Sequence, residues 1–513
     1  MDLKNNGVTV SNKILFVINE PGEFVELSRI MESIKKEADM EMAVLFSSGS
    51  YVNLGIDRFR ARKLGVATFF PENSFKSPNR HSGQYSIKSS VRSGDLAYSV
   101  AHQGLPRASS RRAKLLVTFL SPLFLALFLL DSLFKKKDRP KTTTRLSEFR
   151  YASRVFDQYA PNVVIFGQDF PFSINTLLIK KAKVAGAKSV VVPFSLGTTR
   201  ELCESLSSSD LHDADRSMVS RLVAYLFPDW VNYYKDKKLL RLPPADIIVS
   251  EMLSLRTPHP WVPNSSYADV ITMESEESRS RALLSGTPDS QLVLTGAPVD
   301  DALSAFRRDC RKLKGRLLSA HSFANGSATD SATGERLLAV VAWPPDQFGS
   351  RLLPLEFRGY EELCQAWAEE LAEFQRVGQF TVVVRPHPVT DRIFLAKLLS
   401  EYDLSVTLQD TASLVAAADL FVASVSTTIR WAIMCGVPVV NYDVFDYQYN
   451  DFDSAEAVLT MSTRKEFARQ LHELVEDSSW MDSLRQRQAE VAAHWGVLDD
   501  GACDRILSVV RAP

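Results

Sequence analysis

Short apolar runs that end at polar or Gly- and Pro-containing loops recur along this chain, each followed by a stretch of helical period. That alternation leaves few folds open, because strands joined by covering helices build parallel sheets buried on both faces. In the first part, strands are expected at Ile14–Ile18, Ala43–Phe46, Val66–Phe70, Val163–Phe166, Ser189–Val192, Ile247–Val249, Val270–Met273 and Leu292–Leu294. Phe24–Ala38, Ile174–Ala185 and Ser275–Ser285 carry helical patterns between them. Leu318–Glu335, LSAHSFANGSATDSATGE, is small and polar and reads as a flexible linker. A second winding follows, with strands expected at Leu338–Ala342, Thr381–Val384, Leu404–Thr407, Leu420–Ala423, Val437–Asn441 and Ala457–Thr460. Helical stretches from Thr463 to Val510 close the chain. The expected fold class is α/β, with two Rossmann-like halves facing across a cleft. The halves are residues 1–305 and 337–480, with a linker at 306–336 and closing helices at 481–513. A cleft between two such sheet ends is the default ligand site.

At 513 residues the chain is too long for one ordinary domain. A formal net charge of −1 lacks the basic excess that nucleic acid demands, so no nucleic-acid partner is expected. The five cysteines are scattered without a CxxC pair, which argues against disulfides or structural zinc and suits a reducing compartment. The N-terminus reads as a first strand and not as a signal peptide. One segment breaks the soluble pattern: RRAKLLVTFLSPLFLALFLLDSLFKKKDRPK, an apolar run at Leu115–Leu130 between basic clusters. A spanning helix needs about 20 residues, and Pro122 and Asp131 shorten this one. The expectation is a helical insertion at about residues 107–141 lying in a membrane interface, where residues 111–137, with Arg111, Arg112, Lys114 and Lys135–Lys137, meet anionic headgroups.

The sharpest chemistry lies in the second half. FTVVVRPHPVTDR ends a strand in Arg385 and holds His387 between two prolines, on a stiff loop that can join neither ladder nor helix interior. One strand further, LFVASVSTTIRWAIMCGVP places Ser424, Ser426, Thr427 and Thr428 before a helix. Free N–H groups and hydroxyls there make an anion site, although one hydroxyl would serve as an ordinary cap. An imidazole N–H and a guanidinium facing that turn would neutralise and orient a bound phosphate. No HExxH, Walker-type loop or convincing Asp-x-Asp loop exists, and Asp300-Asp301 and Asp499-Asp500 lie near a helix start or a glycine. No metal and no other cofactor is therefore required.

On these motifs the chain resembles the donor half of GT-B enzymes. It is most similar to bacterial capsule and surface-polysaccharide synthesis proteins, CDP-glycerol glycerophosphotransferases and bacterial sialyl- and polysialyltransferases. ADVITMESEESRSRALLSGTPDSQLVLTGAPVDD also looks like the end of the first half of UDP-N-acetylglucosamine 2-epimerases, and WGVLDDGACDRIL like a capsule-type closing helix. The resemblance spans Ala268–Leu507 well and the earlier residues only by layout. It implies that His387, Ser424, Ser426 and Thr427 hold the phosphate of a nucleotide-activated donor without a metal.

The same resemblance implies that the first half holds the acceptor and a base. Sialyltransferase-like members carry an acidic pair before a glycine after the first strand, whereas this chain reads Asn19-Glu20-Pro21-Gly22. Glu20 or Glu23 could take a proton there, though acids also simply suit a helix start. Asp169 in VVIFGQDF is the other base candidate, and Gly22, Ser195, Gly197 and Thr198 stand on acceptor-side loops. The resulting expectation is a metal-independent glycosyltransferase, peripheral on the cytoplasmic membrane face, moving a sugar (CMP-linked among the options) to a surface glycan or lipid-linked acceptor. A polyol-phosphate transferase of CDP-glycerol type, a UDP-sugar 2-epimerase and a non-catalytic membrane-bound assembly partner are the alternatives.

Overall fold

The computed structural model describes residues 12–36, 40–47, 54–70, 141–194, 199–321, 336–348, 355–377, 379–448 and 451–512. Its strands are β1 (Asn12–Ile18), β2 (Met40–Phe46), β3 (Ala67–Phe69), β4 (Val163–Phe166), β5 (Lys188–Val191), β6 (Val231–Tyr234), β7 (Lys237–Leu240), β8 (Val270–Met273) and β9 (Leu292–Leu294) in the first half. The second half carries β10 (Leu337–Ala342), β11 (Phe380–Arg385), β12 (Ser405–Val406), β13 (Leu420–Ala423), β14 (Val439–Tyr442) and β15 (Val458–Met461).

Two parallel sheets result. The first runs β3-β2-β1-β4-β5-β8-β9 and the second β12-β11-β10-β13-β14-β15. In the first, Phe16 of β1 pairs with Val44 of β2 and with Ile165 of β4. Both faces are buried, so successive residues enter different cores. Leu15 and Val17 pack on one side with Val164 and Phe166, while Ile14, Phe16 and Ile18 pack on the other with Ile165. The same alternation splits Ala339 and Val341 from Leu338 and Val340 in the second sheet.

The chain's end returns to its beginning. Ile506, Leu507 and Val510 of the closing helix Ala502–Arg511 share a core with Phe16, Phe24 and Leu27. Lys188 on β5 donates to the carbonyls of Val509 and Ala512 at 2.7 and 2.8 Å. That last helix therefore packs on the first sheet, although it follows the second in sequence.

Three expectations are corrected. Ile247–Val249 is no strand but lies inside the helix Pro244–Leu253, where Ile247 and Ile248 are buried. An apolar run so short has no period of its own, and Pro244 at the helix start decides the matter. The expected linker opens with a helix, Cys310–His321, and residues 322–335 lie outside the described residues. The first helix begins at Pro21, so Pro21 and Gly22 form its first turn instead of a preceding loop. The β6–β7 hairpin was not expected at all. The apolar insertion falls outside the described residues except for Lys141, where the helix Lys141–Tyr159 begins. Among the described residues no helix is long and apolar enough to cross a membrane.

Candidate active site

In each sheet the winding reverses at one point, between β1 and β4 in the first and between β10 and β13 in the second. Loops leaving such a pair splay apart and open a crevice at the carboxyl edge.

In the first half, Glu20 follows β1 and is exposed at the N-cap of the helix Pro21–Ile34. It makes no capping bond, and its Oε1 accepts from Gln168 Nε2 at 3.0 Å. Glu23 is fully buried one turn along, accepting from Asn19 Nδ2 at 3.1 Å on both oxygens. Burial pushes Glu23 up to about 8, against the lowering effect of the Asn19 hydrogen bonds. Gly167, after β4, has no side chain because a Cβ would stand 2.7 Å from Glu23 Cγ. Gly22 serves similarly: a Cβ there would stand 2.9 Å from the Phe194 ring in the loop after β5.

Asp169 is 1% exposed and anchored to a distant loop, its N–H donating to Asn264 Oδ1 at 2.8 Å. Its Oδ1 is 3.5 Å from the Ser173 hydroxyl and its Oδ2 takes no hydrogen bond. Burial holds its carboxyl well above the usual range. Ser195, Gly197 and Thr198 lie outside the described residues.

In the second half, the loops after β11 and β13 flank the central strand β10 and open on one edge. Arg385 uses Nε on the Gln409 carbonyl at 2.9 Å and Nη1 on the Pro386 carbonyl at 2.6 Å, which pins the loop. His387 follows with its ring exposed, and Val389 N–H donates to its Nδ1 at 3.4 Å. Nδ1 is thereby the acceptor, so the neutral ring carries its proton on Nε2 and can donate to a ligand. Exposed by area, the imidazole is still crowded by neighbouring protein; that burial and the Arg385 charge both lower its pKa.

The turn opposite is tense. Val425 has φ +44, a left-handed conformation that a β-branched residue rarely adopts, and its N–H donates to Asn441 Oδ1 at 2.8 Å. Such strain costs about 1–3 kcal/mol and gathers where ligands bind. Ser426 and Thr428 hydroxyls lie 2.8 Å apart, Thr427 is exposed, and Ser424 Oγ is buried without a hydrogen bond. The helix they introduce, Ile429–Met434, has only six residues, so its macrodipole is small and the hydroxyls matter more.

Where the halves meet, Arg430 is 1% exposed and binds Asp300 at two points, 3.0 and 2.8 Å. It also donates to the carbonyls of Trp495 and Glu274, each at 3.0 Å. Beside it lies a cavity of about 30 Å³, lined by Glu26, Glu274, Phe194, Thr427, Arg430 and Trp431 among others. The sequence reading missed this cluster, whose one local sign is an arginine inside the apolar stretch IRWAIM. Among the described residues no three His, Cys, Asp or Glu side chains converge as metal ligands.

No family model matches the chain, and no curated protein sequence matches it. Solved structures do. MnaA of S. aureus, in a co-structure with UDP, is similar over 98% of this chain and 96% of its own, at 11% identity and a TM-score of 0.50. The UDP-GlcNAc 2-epimerase of Neisseria meningitidis, bound to UDP-GlcNAc, covers 97% of this chain and 99% of its own at 12% identity and a TM-score of 0.49. The calicheamicin glycosyltransferase CalG4 covers 98% and 100% at 13% identity and a TM-score of 0.48. The chain has the GT-B fold, two Rossmann-like halves facing across a cleft. At such identities the likeness reaches the fold and stops short of the reaction.

Proposed function

We propose that this chain is a metal-independent glycosyltransferase that moves a sugar from a nucleotide-activated donor to a surface glycan or lipid-linked acceptor. One observation carries the reading: His387, with Nε2–H free to donate, and the strained Ser424–Thr428 turn follow β11 and β13, the strands on either side of β10, at one edge of the sheet. A phosphate set between them receives an imidazole N–H and several hydroxyls, and Arg385 adds charge beside it. The UDP held by MnaA, a protein of similar fold, supports a nucleotide as the occupant. Stabilisation of the leaving nucleotide falls to the Arg385 charge and to hydrogen bonds from His387 and the turn, placed where charge develops. The motif resemblance to capsule-type enzymes favours a glycan acceptor, and the basic-flanked Leu115–Leu130 run favours work at the inner face of the cytoplasmic membrane.

A UDP-sugar 2-epimerase would use the same crevice, and a solved structure of that activity shares the layout. The product separates the two: an epimerase returns an altered nucleotide sugar with no acceptor, whereas a transferase releases free nucleotide. A thermal-shift panel of CMP-, UDP-, GDP- and CDP-linked sugars tests the donor site, since a ligand bound only to the folded state raises its apparent stability. At least one should raise the melting temperature, and His387→Ala should shrink that rise. Absence of any shift overturns the donor assignment. Complete release of the protein from membranes by salt alone would remove the membrane reading.

A further inference from the structure

Three carboxylates and two guanidinium groups converge where the first half meets the Ser/Thr turn. Glu26 and Arg29 stand on the helix Pro21–Ile34, Glu274 follows β8, Asp300 lies on the helix Pro298–Arg308, and Arg430 lies on Ile429–Met434. Two of the acids are fully engaged. Asp300 gives both oxygens to Arg430, and its Oδ2 also accepts the Ala297 N–H at 2.8 Å. Glu274 has Oε2 at 3.4 Å from Arg430 and Oε1 accepting from the Ser278 hydroxyl at 3.1 Å.

Glu26 differs. Its side chain is 12% exposed, its Oε2 accepts no hydrogen bond, and the Arg29 Nε stands 3.9 Å from that oxygen. An unbonded buried carboxylate oxygen is costly, and Asp169 Oδ2 shares that state, so position sets Glu26 apart. Glu26 lines the cavity shared with Thr427, whereas neither Glu20 nor Asp169 does. Burial pushes Glu26 up to about 7; Arg29 pulls it down, Asp300 and Glu274 raise it, and Arg430 lowers it. A carboxyl that titrates near neutrality can both take and return a proton at working pH.

Resting on the transferase reading above, we propose that Glu26 is the general base, in place of Glu20 or Asp169. As the acceptor oxygen attacks the anomeric carbon, its O–H bond breaks and the proton passes to Glu26 Oε2. The bond from the anomeric carbon to the phosphate oxygen breaks in the same step, and the nucleotide leaves as an anion against the Ser/Thr turn. The cavity is about 30 Å³, room for a small group only, so the acceptor would present just its attacking hydroxyl to Glu26 there.

The test compares the wild type with Glu26→Gln and Glu26→Asp. The probes are CMP-, UDP-, GDP- and CDP-linked sugars, with detergent-solubilised membrane extract as acceptor and released nucleotide as the readout. Glu26→Gln should keep the wild-type thermal shift with nucleotide sugar while kcat falls about 100-fold or more. Its pH–rate profile should lose the limb near 7 that the wild type shows, and Glu26→Asp, which keeps a carboxylate, should recover part of the rate. A Glu26→Gln enzyme within about threefold of wild-type kcat overturns the assignment and leaves the donor site intact. A wild type that binds none of the four donor classes instead overturns the transferase reading beneath it.

Discussion

Asp300 and Arg430 form a two-point ion pair, Oδ1 to Nη1 at 3.0 Å and Oδ2 to Nη2 at 2.8 Å, buried where the helix leaving the first half meets the helix after the Ser/Thr turn. The next residue faces elsewhere: Asp301 accepts the N–H groups of Ala502 and Cys503 at 2.8 and 2.9 Å and so holds the start of the closing helix. Two adjacent carboxylates thus tie the second half and the returning helix to one short segment. The site depends on that segment, because Arg430 lies two residues beyond the Ser/Thr turn.

Removing one partner of this pair should cost far more than removing both. Asp300→Ala strands a buried guanidinium and should lower stability by about 3–5 kcal/mol in urea unfolding. The double change Asp300→Leu with Arg430→Met removes the stranded charge and should recover a large part of the loss. Equal losses for the single and double variants would show that the pair contributes only packing.

Glu23 gives the fold a pH dependence of fixed sign. Its carboxyl is raised from 4.5 to about 8 by burial, so the folded chain holds a proton that the unfolded chain releases at lower pH. Its stabilising contribution is complete below pH 4.5 and is lost as pH rises through about 8. The melting temperature should fall from pH 5 towards pH 9, and Glu23→Gln, which keeps the neutral shape, should flatten that slope. An unchanged slope in the variant would exclude Glu23 as its source.

His387 titrates in the opposite sense for binding. Burial and the Arg385 charge lower its pKa below 6.5, so the ring is neutral at pH 7 and binds as an N–H donor. Acidification below that point adds a positive charge beside the donor phosphates, which in a nucleotide sugar do not themselves titrate there. Affinity for the nucleotide sugar should rise as pH falls from 7 to 5.5. His387→Ala should abolish the rise and weaken binding about tenfold at pH 7, on the scale of one charge-assisted hydrogen bond. Isothermal titration across that pH range checks both effects.

How much of this was legible in the sequence depended on the reach of each pattern. β4, β8, β9 and β13 fall where short apolar runs end at loops, because strands buried on both faces need nothing but local hydrophobicity. VNYYKDKKLL escaped because its hairpin turns on Lys235, which takes φ +53 without a glycine to announce it. His387 and the Ser/Thr turn could be singled out because each directly follows a strand. The Arg430 cluster could not, since it joins Glu26, Glu274, Asp300 and the Trp495 carbonyl from four separate parts of the chain. Only the folded arrangement brings them together.

Gly496 shows how tightly that arrangement is built and supplies the last test. Its φ is +148, and an added Cβ would stand 2.6 Å from Met434 Cε and 2.9 Å from Arg430 Nη2. The preceding carbonyl, of Trp495, is the one that accepts from Arg430 Nε, so any shift of this backbone disturbs the guanidinium directly. Gly496→Ala should destabilise the protein by about 1–3 kcal/mol or more through backbone strain and overpacking together. Met434→Ala in the same chain opens space for the new methyl but leaves the backbone strain and the Arg430 contact, so rescue should be partial. Full rescue by Met434→Ala would mean that side-chain crowding alone fixes this glycine, and no loss in Gly496→Ala would mean that the junction gives way without cost to Arg430.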